Sequence, residues 1–223
     1  MIELGGVNKY FYRGTERQVH ALRNIDLVVD HGEFSVITGP SGCGKTTLLN
    51  VIGALDTVDS GTIMLDGTDI TEMAESDRSR LRLERVGFVF QAYNLIPVLN
   101  VRENIGFIMK LRGFSADSIE ERVEELADIL EIRDKLDSLP NHLSGGQQQR
   151  VAVARAVAAR PRLILADEPT ANLDSKNSCH LMQMMRQLNE MEDITILFSS
   201  HDDYVVEEAR RVIKLHDGKI VCS

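Results

Sequence analysis

Gly39-Pro40-Ser41-Gly42-Cys43-Gly44-Lys45-Thr46 has the residue types and spacing of a phosphate-binding loop. Its glycines let backbone amides close around phosphate oxygens. Lys45 would reach the β- and γ-phosphates, and Thr46, followed by Thr47, would offer a hydroxyl to Mg²⁺. Further on, Leu163-Ile164-Leu165-Ala166 runs into two carboxylates, Asp167 and Glu168. An Asp-Glu pair after a strand is ordinarily a polar loop. Beside a phosphate-binding loop it takes a chemical reading: Asp167 holds Mg²⁺ through water, and Glu168 polarises an attacking water. Gln91 follows the apolar run Val86–Phe90, and its neutral amide could both ligate Mg²⁺ and place a water. His201 follows Ile194–Phe198. A single histidine is more often structural than catalytic, but this one falls where the phosphates should sit.

A third constellation is Leu143-Ser144-Gly145-Gly146-Gln147. Ser144 and Gln147 are spaced as a capping box, so each side chain can satisfy a backbone amide at a helix start. The two glycines leave that helix end bare, and its free N–H groups and partial positive charge suit a phosphate. On these five residues alone, a capped helix that binds nothing explains the pattern equally well.

These residues need a scaffold, and the apolar runs supply one. Phe34–Thr38, Val86–Phe90, Leu163–Ala166 and Ile194–Phe198 are short, β-branched or bulky, and followed by polar residues, so each reads as a buried strand. Thr46–Ala54 reads as the helix after the phosphate loop. Strands separated by helices imply an α/β fold with a mainly parallel sheet and ligands at the carboxyl ends of its strands. Between Ala92 and Arg160 the strand signal vanishes. Ile119, Val123, Leu126, Ala127 and Leu130 recur at helical spacing, with Glu120, Glu121, Arg122, Glu124 and Glu125 on the other face. We therefore expect one domain: an α/β core from 1–91 and 161–223, with an inserted α-helical subdomain at 92–160. Met182, Met184, Met185 and Met191 read as packing residues.

The bulk numbers exclude several functions. With 34 acidic against 25 basic residues, the net charge of -9 argues against binding to nucleic acid or anionic lipid. Few aromatics and no Trp argue against base-stacking platforms. Cys43, Cys179 and Cys222 are odd in number and match no metal spacing, which suggests a reducing compartment without a disulfide framework. The N-terminus does not read as a signal peptide, and no stretch reaches the roughly 18 apolar residues of a membrane span. Any membrane role is expected through a partner.

The order Gly39–Thr46, Gln91, Leu143–Gln147, Asp167–Glu168, Asp174 and His201 resembles the nucleotide-binding subunit of ABC transporters across essentially the whole chain. The Ser-Gly-Gly-Gln signature ahead of Asp167 carries the resemblance further than the P-loop alone. Phe88–Gln91, Asn94-Leu95-Ile96-Pro97 and Leu143–Arg150 are similar to the lipoprotein-release, macrolide-export and cell-division subgroup. The resemblance implies a P-loop NTPase core with a small N-terminal antiparallel β-subdomain. It implies an ATP hydrolase using ATP and Mg²⁺, on the cytoplasmic face of the cell membrane with an integral membrane permease subunit.

The resemblance also implies roles. Gly39, Pro40, Ser41, Gly42, Cys43, Gly44, Lys45, Thr46 and Thr47 bind ATP as Walker A, and Asp167 and Glu168 form Walker B. Gln91 is the Q-loop glutamine linking γ-phosphate to the helical insert, and His201 is the switch histidine. Thr46, Gln91 and Asp167 are the metal ligands. The adenine-stacking aromatic lies in Tyr10-Phe11-Tyr12, with Phe11 favoured by its spacing from Met1, although the family usually has Tyr there. Ser144, Gly145, Gly146 and Gln147, with the D-loop residue Asp174, serve ATP held by a second copy in a head-to-tail homodimer. A regulator of cell-division type, transmitting shape change without transport, would use the same residues. Cys43, at a helix N-terminus, is expected to be a reactive thiol whose alkylation blocks ATP binding. The segment Gln91–Glu103 is expected to receive a short helix of the membrane partner, with Tyr93, Leu95, Ile96, Pro97 and Val98 lining the groove or buried as core.

Overall fold

The structure, a computed structural model, describes residues 1–221. Cys222 lies outside them. The chain begins with two long strands, β1 (Ile2–Phe11) and β2 (Val19–Val29). With β4 (Ser60–Leu65) and β5 (Thr68–Asp69) they form an antiparallel sheet in the order β2-β1-β4-β5. The register of β1 shifts after Leu4, where Gly6 takes a left-handed φ of 57°. The extra residue swaps which parity faces inward, so Ile2 and Leu4 are buried before it and Val7 and Lys9 after it.

The second sheet holds the chemistry. Its order is β10-β9-β3-β8-β7-β6, from β3 (Phe34–Thr38), β6 (Val86–Val89), β7 (Leu163–Asp167), β8 (Thr195–Ser199), β9 (Arg211–His216) and β10 (Lys219–Val221). All neighbours run parallel except β10, which hairpins back on β9. The inner strands are buried on both faces, as their unbroken apolar runs require. Phe34, Val36, Ile164 and Phe198 face a core shared with the helices, whereas Ile37, Leu163, Leu165 and Leu197 face one shared with the antiparallel sheet.

Helix α1 (Lys45–Ile52) follows β3, and α2 (Glu75–Arg85) precedes β6. Between β6 and β7 come α3 (Val101–Leu111), α4 (Ala116–Ile129) and α5 (Gly145–Ala158), with two single 3-10 turns. Helix α6 (Ser175–Glu192) links β7 to β8, and the short α7 (Asp203–Glu207) precedes β9.

The four expected strands are present, Phe34–Thr38 with the expected ends and the other three with ends shifted by a residue, and α1 starts and stops slightly earlier than expected. On α4 the inward face is as read: Val123, Leu126 and Ala127 are buried, with Leu130 just beyond. Arg122 departs from that reading. Placed on the solvent face by its charge, it is only 4% exposed and reaches Glu192 at the end of α6. Met182, Met184 and Met185 are core residues, but Met191 is exposed.

Candidate active site

The loop after β3 is built so that a side chain on Gly39 is impossible. Gly39 has φ 155°, and a Cβ there would stand 2.0 Å from the carbonyl oxygen of Leu215. Gly44 has φ 110°, and its Cβ would meet Ala21 O at 2.7 Å. Close packing against β2 and β9 therefore sets the loop's shape. Gly44 caps α1 without any side-chain hydrogen bond, and no carboxylate occupies the first turn. The helix thus presents bare N–H groups and an uncompensated positive end, which is what an anion needs. Lys45 lies across the loop, its Nζ donating to Gly39 O at 2.8 Å and Pro40 O at 3.4 Å, 3.7 Å from Glu168 Oε1.

The carboxylates come from the end of the neighbouring strands. Asp167 closes β7, and its Oδ2 accepts a 2.8 Å hydrogen bond from Thr46 Oγ1. Glu168 is the next residue, in the left-handed region at φ 47°. That turn swings its carboxylate toward His201, whose Nδ1 is 3.0 Å from both carboxylate oxygens. Gln91 stands two residues beyond β6. Its carbonyl accepts a 2.9 Å bond from Asn172 Nδ2.

Most of these converge on one open cleft of about 890 Å³, while Gly39 and Asp167 stand just behind its lining, Asp167 reaching it through Thr46. Pro40–Thr47, Gln91, Glu168 and His201 line it, and Phe11, Val19, His20, Ala21 and Arg23 close the end farthest along the antiparallel sheet. Phe11 is 37% exposed and lies 5.3 Å below the ammonium of Lys9, which is itself held by Asp56 at 2.6 Å. Tyr10 instead stacks on His20 at 4.0 Å between ring centroids. Of the three candidate aromatics, Phe11 is the one in the cleft lining. Burial first, and then the nearby Arg23, hold the His20 pKa below its ordinary value, favouring the neutral ring.

Cys43 does not have the accessibility expected of a reactive thiol. It is 4% exposed and packs into the core shared with the antiparallel sheet, because the loop folds over it.

The signature lies elsewhere. The Ser144–Gln147 capping box is fully formed, with Gln147 N donating to Ser144 Oγ at 3.3 Å and Ser144 N donating to Gln147 Oε1 at 2.9 Å. None of Ser144, Gly145, Gly146 or Gln147 lines the cleft of its own chain. A Cβ on Gly146 would instead touch Leu173 and Asn177. Asp174 caps α6 by accepting from Asn177 N at 2.9 Å and Asn177 Nδ2 at 2.7 Å. The Asn177 backbone N–H, foremost, keeps the Asp174 carboxyl pKa below its usual range. The signature glycines and the Asp174 loop thus form a second polar constellation outside the cleft.

Two groups at this site escaped sequence reading. Ser199 bonds both Asp167 and Glu168, and Arg155 of α5 donates to Asn94 O at 2.6 Å and Tyr93 O at 3.0 Å. Nothing local in the sequence signals either, since both partners lie far along the chain. The groove beside the helices also differs from expectation. An apolar cleft of about 310 Å³ is floored by Leu83, Phe88, Phe90, Ile96, Phe107 and Ile108 and edged by Arg112 and Arg155. Of the five residues expected there, only Ile96 lines it; Leu95 packs on the core and Val98 is 80% exposed.

The site has the donors for Mg²⁺. Thr46 Oγ1 and Asp167 Oδ2 are hard oxygens side by side at the phosphate end of the cleft. Among the described residues no cluster of three or more His, Cys, Asp or Glu could hold a metal by itself. The Thr46–Asp167 oxygen pair fits an ion that takes its other ligands from phosphates and water.

Comparison with known proteins gives a consistent result. The sequence model of the family described as ABC transporter matches residues 22–171. The chain is 42% identical to a macrolide export ATP-binding/permease protein, MacB, of Aggregatibacter actinomycetemcomitans, over 99% of this chain but 34% of that protein. It is 40% identical to the lipoprotein-releasing system ATP-binding protein LolD 1 of Rhodopseudomonas palustris, over 99% of this chain and 98% of that one. The chain therefore spans about a third of the macrolide exporters it matches and nearly all of the lipoprotein-release protein. The ATP-binding cassette MJ0796 of Methanocaldococcus jannaschii, solved as a dimer in a post-hydrolysis state bound to ADP and Pi, superposes with a TM-score of 0.92 at 38% identity, covering 100% of this chain and 97% of that one.

Proposed function

The chain belongs to the ABC transporter family as an ATP-binding, ATP-hydrolysing cassette, and we propose from that premise how its residues divide the work. The carrying observation is that Pro40–Thr46, Glu168 and His201 line one cleft at the carboxyl ends of parallel strands, with Asp167 bonded to Thr46 behind it. ATP lies with its phosphates on the loop and the α1 N-terminus, Lys45 moving from its carbonyl contacts onto the phosphates. Phe11 faces the adenine. Thr46, Asp167 and Gln91 would hold Mg²⁺, which neutralises charge on the β- and γ-phosphate oxygens when bound. Glu168 orients the attacking water and accepts its proton, and His201, held against Glu168, contacts the γ-phosphate.

Ser144–Gln147 and Asp174 serve a nucleotide bound by a second copy. The support is geometric: a helix end suited to an anion stands outside the cleft of its own chain. Two copies of charge -9 repel at long range, though salt of about 0.1 M confines that to about 10 Å. Nucleotide therefore closes the pair, and hydrolysis reopens it. The helices between residues 92 and 160 form the subdomain that carries this movement. The apolar groove edged by Arg112 and Arg155 receives a short helix of a membrane-embedded permease, which uses the closure to drive transport or extrusion. Among the described residues no helix is long and apolar enough to cross a membrane.

Glu168→Gln should bind MgATP, lose turnover and accumulate a dimer, read by light scattering with and without the permease. A monomer at saturating MgATP in both settings would sink this scheme.

A further inference from the structure

Ser199 ends β8, with Ile196, Leu197 and Phe198 before it, and is fully buried. A hydroxyl there is costly unless it finds partners. Its partners are Asp167, the last residue of the neighbouring strand, and Glu168, which follows it. In register, Ser199 pairs with Asp167. Its Oγ donates to Asp167 Oδ1 at 2.7 Å and accepts from the Glu168 backbone N–H at 2.9 Å.

Each bond controls something different. Asp167 Oδ1 is occupied by Ser199, so the carboxylate plane is fixed and Oδ2 is the oxygen turned to Thr46. Glu168 is in a left-handed conformation that a side-chain-bearing residue adopts at a cost. The bond to its N–H holds that conformation, and the conformation aims the carboxylate at His201.

We propose that Ser199 is a positioning residue for hydrolysis, one hydroxyl that sets both the metal-facing oxygen of Asp167 and the backbone of Glu168. It acts through these two residues. The inference rests on the ATPase reading and adds a determinant to that site.

The test compares Ser199→Ala, Ser199→Val and Ser199→Thr with wild type, each first shown to be folded by its melting curve. Val and Thr share a shape and differ by the hydroxyl. Losing hydrogen bonds to a charged group and to the Glu168 amide should lower kcat about 10- to 100-fold in the Ala and Val variants, while KM for ATP stays within about threefold. The second readout needs no turnover: the Mg²⁺ concentration that half-saturates thermal stabilisation by a non-hydrolysable ATP analogue. It should rise about tenfold or more in Ala and Val, as for other residues that orient a metal ligand, and recover in Thr. Ser199→Ala with wild-type kcat and wild-type Mg²⁺ half-saturation overturns the proposal, as does a Val variant equal to Thr in both. If wild type binds the analogue with Mg²⁺ but never turns over ATP, the ATPase reading fails separately, and the Mg²⁺ half-saturation still decides Ser199.

Discussion

Arg122 offers a sharp energetic test of the fold. It stands on α4, is 4% exposed, and its guanidinium meets five acceptors on three segments. Nη2 donates to Glu192 Oε1 and Oε2 at 2.6 and 2.7 Å, Nη1 to Glu125 Oε2 at 2.9 Å, and the remaining bonds go to the carbonyls of Ala158 and Val157. Glu192 is mostly buried, with 12% of its side chain exposed. Arg122→Met keeps much of the volume but leaves that carboxylate and two carbonyls without their donor. A broken buried pair costs about 3–5 kcal/mol. For a chain of this size each kcal/mol moves Tm by about 2–4 °C, so the melting point should fall by about 6–20 °C. Glu192→Leu should cost less, about 1.5–3 kcal/mol, because Arg122 keeps Glu125 and both carbonyls. The double variant should cost less than the sum, since no lone carboxylate remains. Urea unfolding of the four proteins measures this cycle. Loss under about 1 kcal/mol in Arg122→Met, or additivity within about 0.5 kcal/mol, would refute the reasoning.

Gly145→Asp should leave nucleotide binding at the P-loop nearly intact by equilibrium titration while abolishing cooperative hydrolysis, because Gly145 lies outside its own cleft. Gly39→Ala should fail to bind ATP by the same titration, as its Cβ would overlap Leu215 O. In the native protein Cys43 should resist maleimide, and peptide mapping should find it labelled only in denaturant, since the folded loop covers it. Glu33 gives a pH signature. Burial alone would raise its pKa, but bonds from Ser35, the Asp30 amide and Arg211 outweigh it and hold the value below 4.5. Its contribution is therefore present above about pH 4.5 and lost as pH falls through the folded value; Glu33→Gln should flatten the acid limb of stability between them.

The P-loop, the Asp167–Glu168 pair and the Ser144 box were readable because each is a local pattern whose geometry follows from adjacent residues. The four inner strands were readable because burial on both faces leaves long apolar runs. Helix α2 escaped notice because it buries only Leu81 and so shows no apolar stripe. The hairpin strands β4, β5, β9 and β10 are short or half exposed, and their pairing depends on distant segments. Arg122 was misread because polarity assigns a helical residue to solvent unless its partner, here 70 positions away, is known. Ser199 was missed for the same reason: its acceptor Asp167 arrives through the β7–β8 register and its donor is the residue just after β7.

The two bonds from Arg155 have a kinetic meaning. Tyr93 and Asn94 are consecutive residues with φ of 60° and 49°, a backbone that relaxes by about 1–2 kcal/mol per residue once let go. The guanidinium that clasps their carbonyls belongs to α5, the helix that begins at the signature. Arg155 thus ties the segment behind Gln91 to that helix, while Asn104 of α3 holds the same segment further on through Ile96 and Leu99. The consequence is mechanical coupling: Arg155→Ala should speed amide exchange at Tyr93 and Asn94, whose carbonyls it holds, and leave the Ile96 amide, bonded to Asn104, protected.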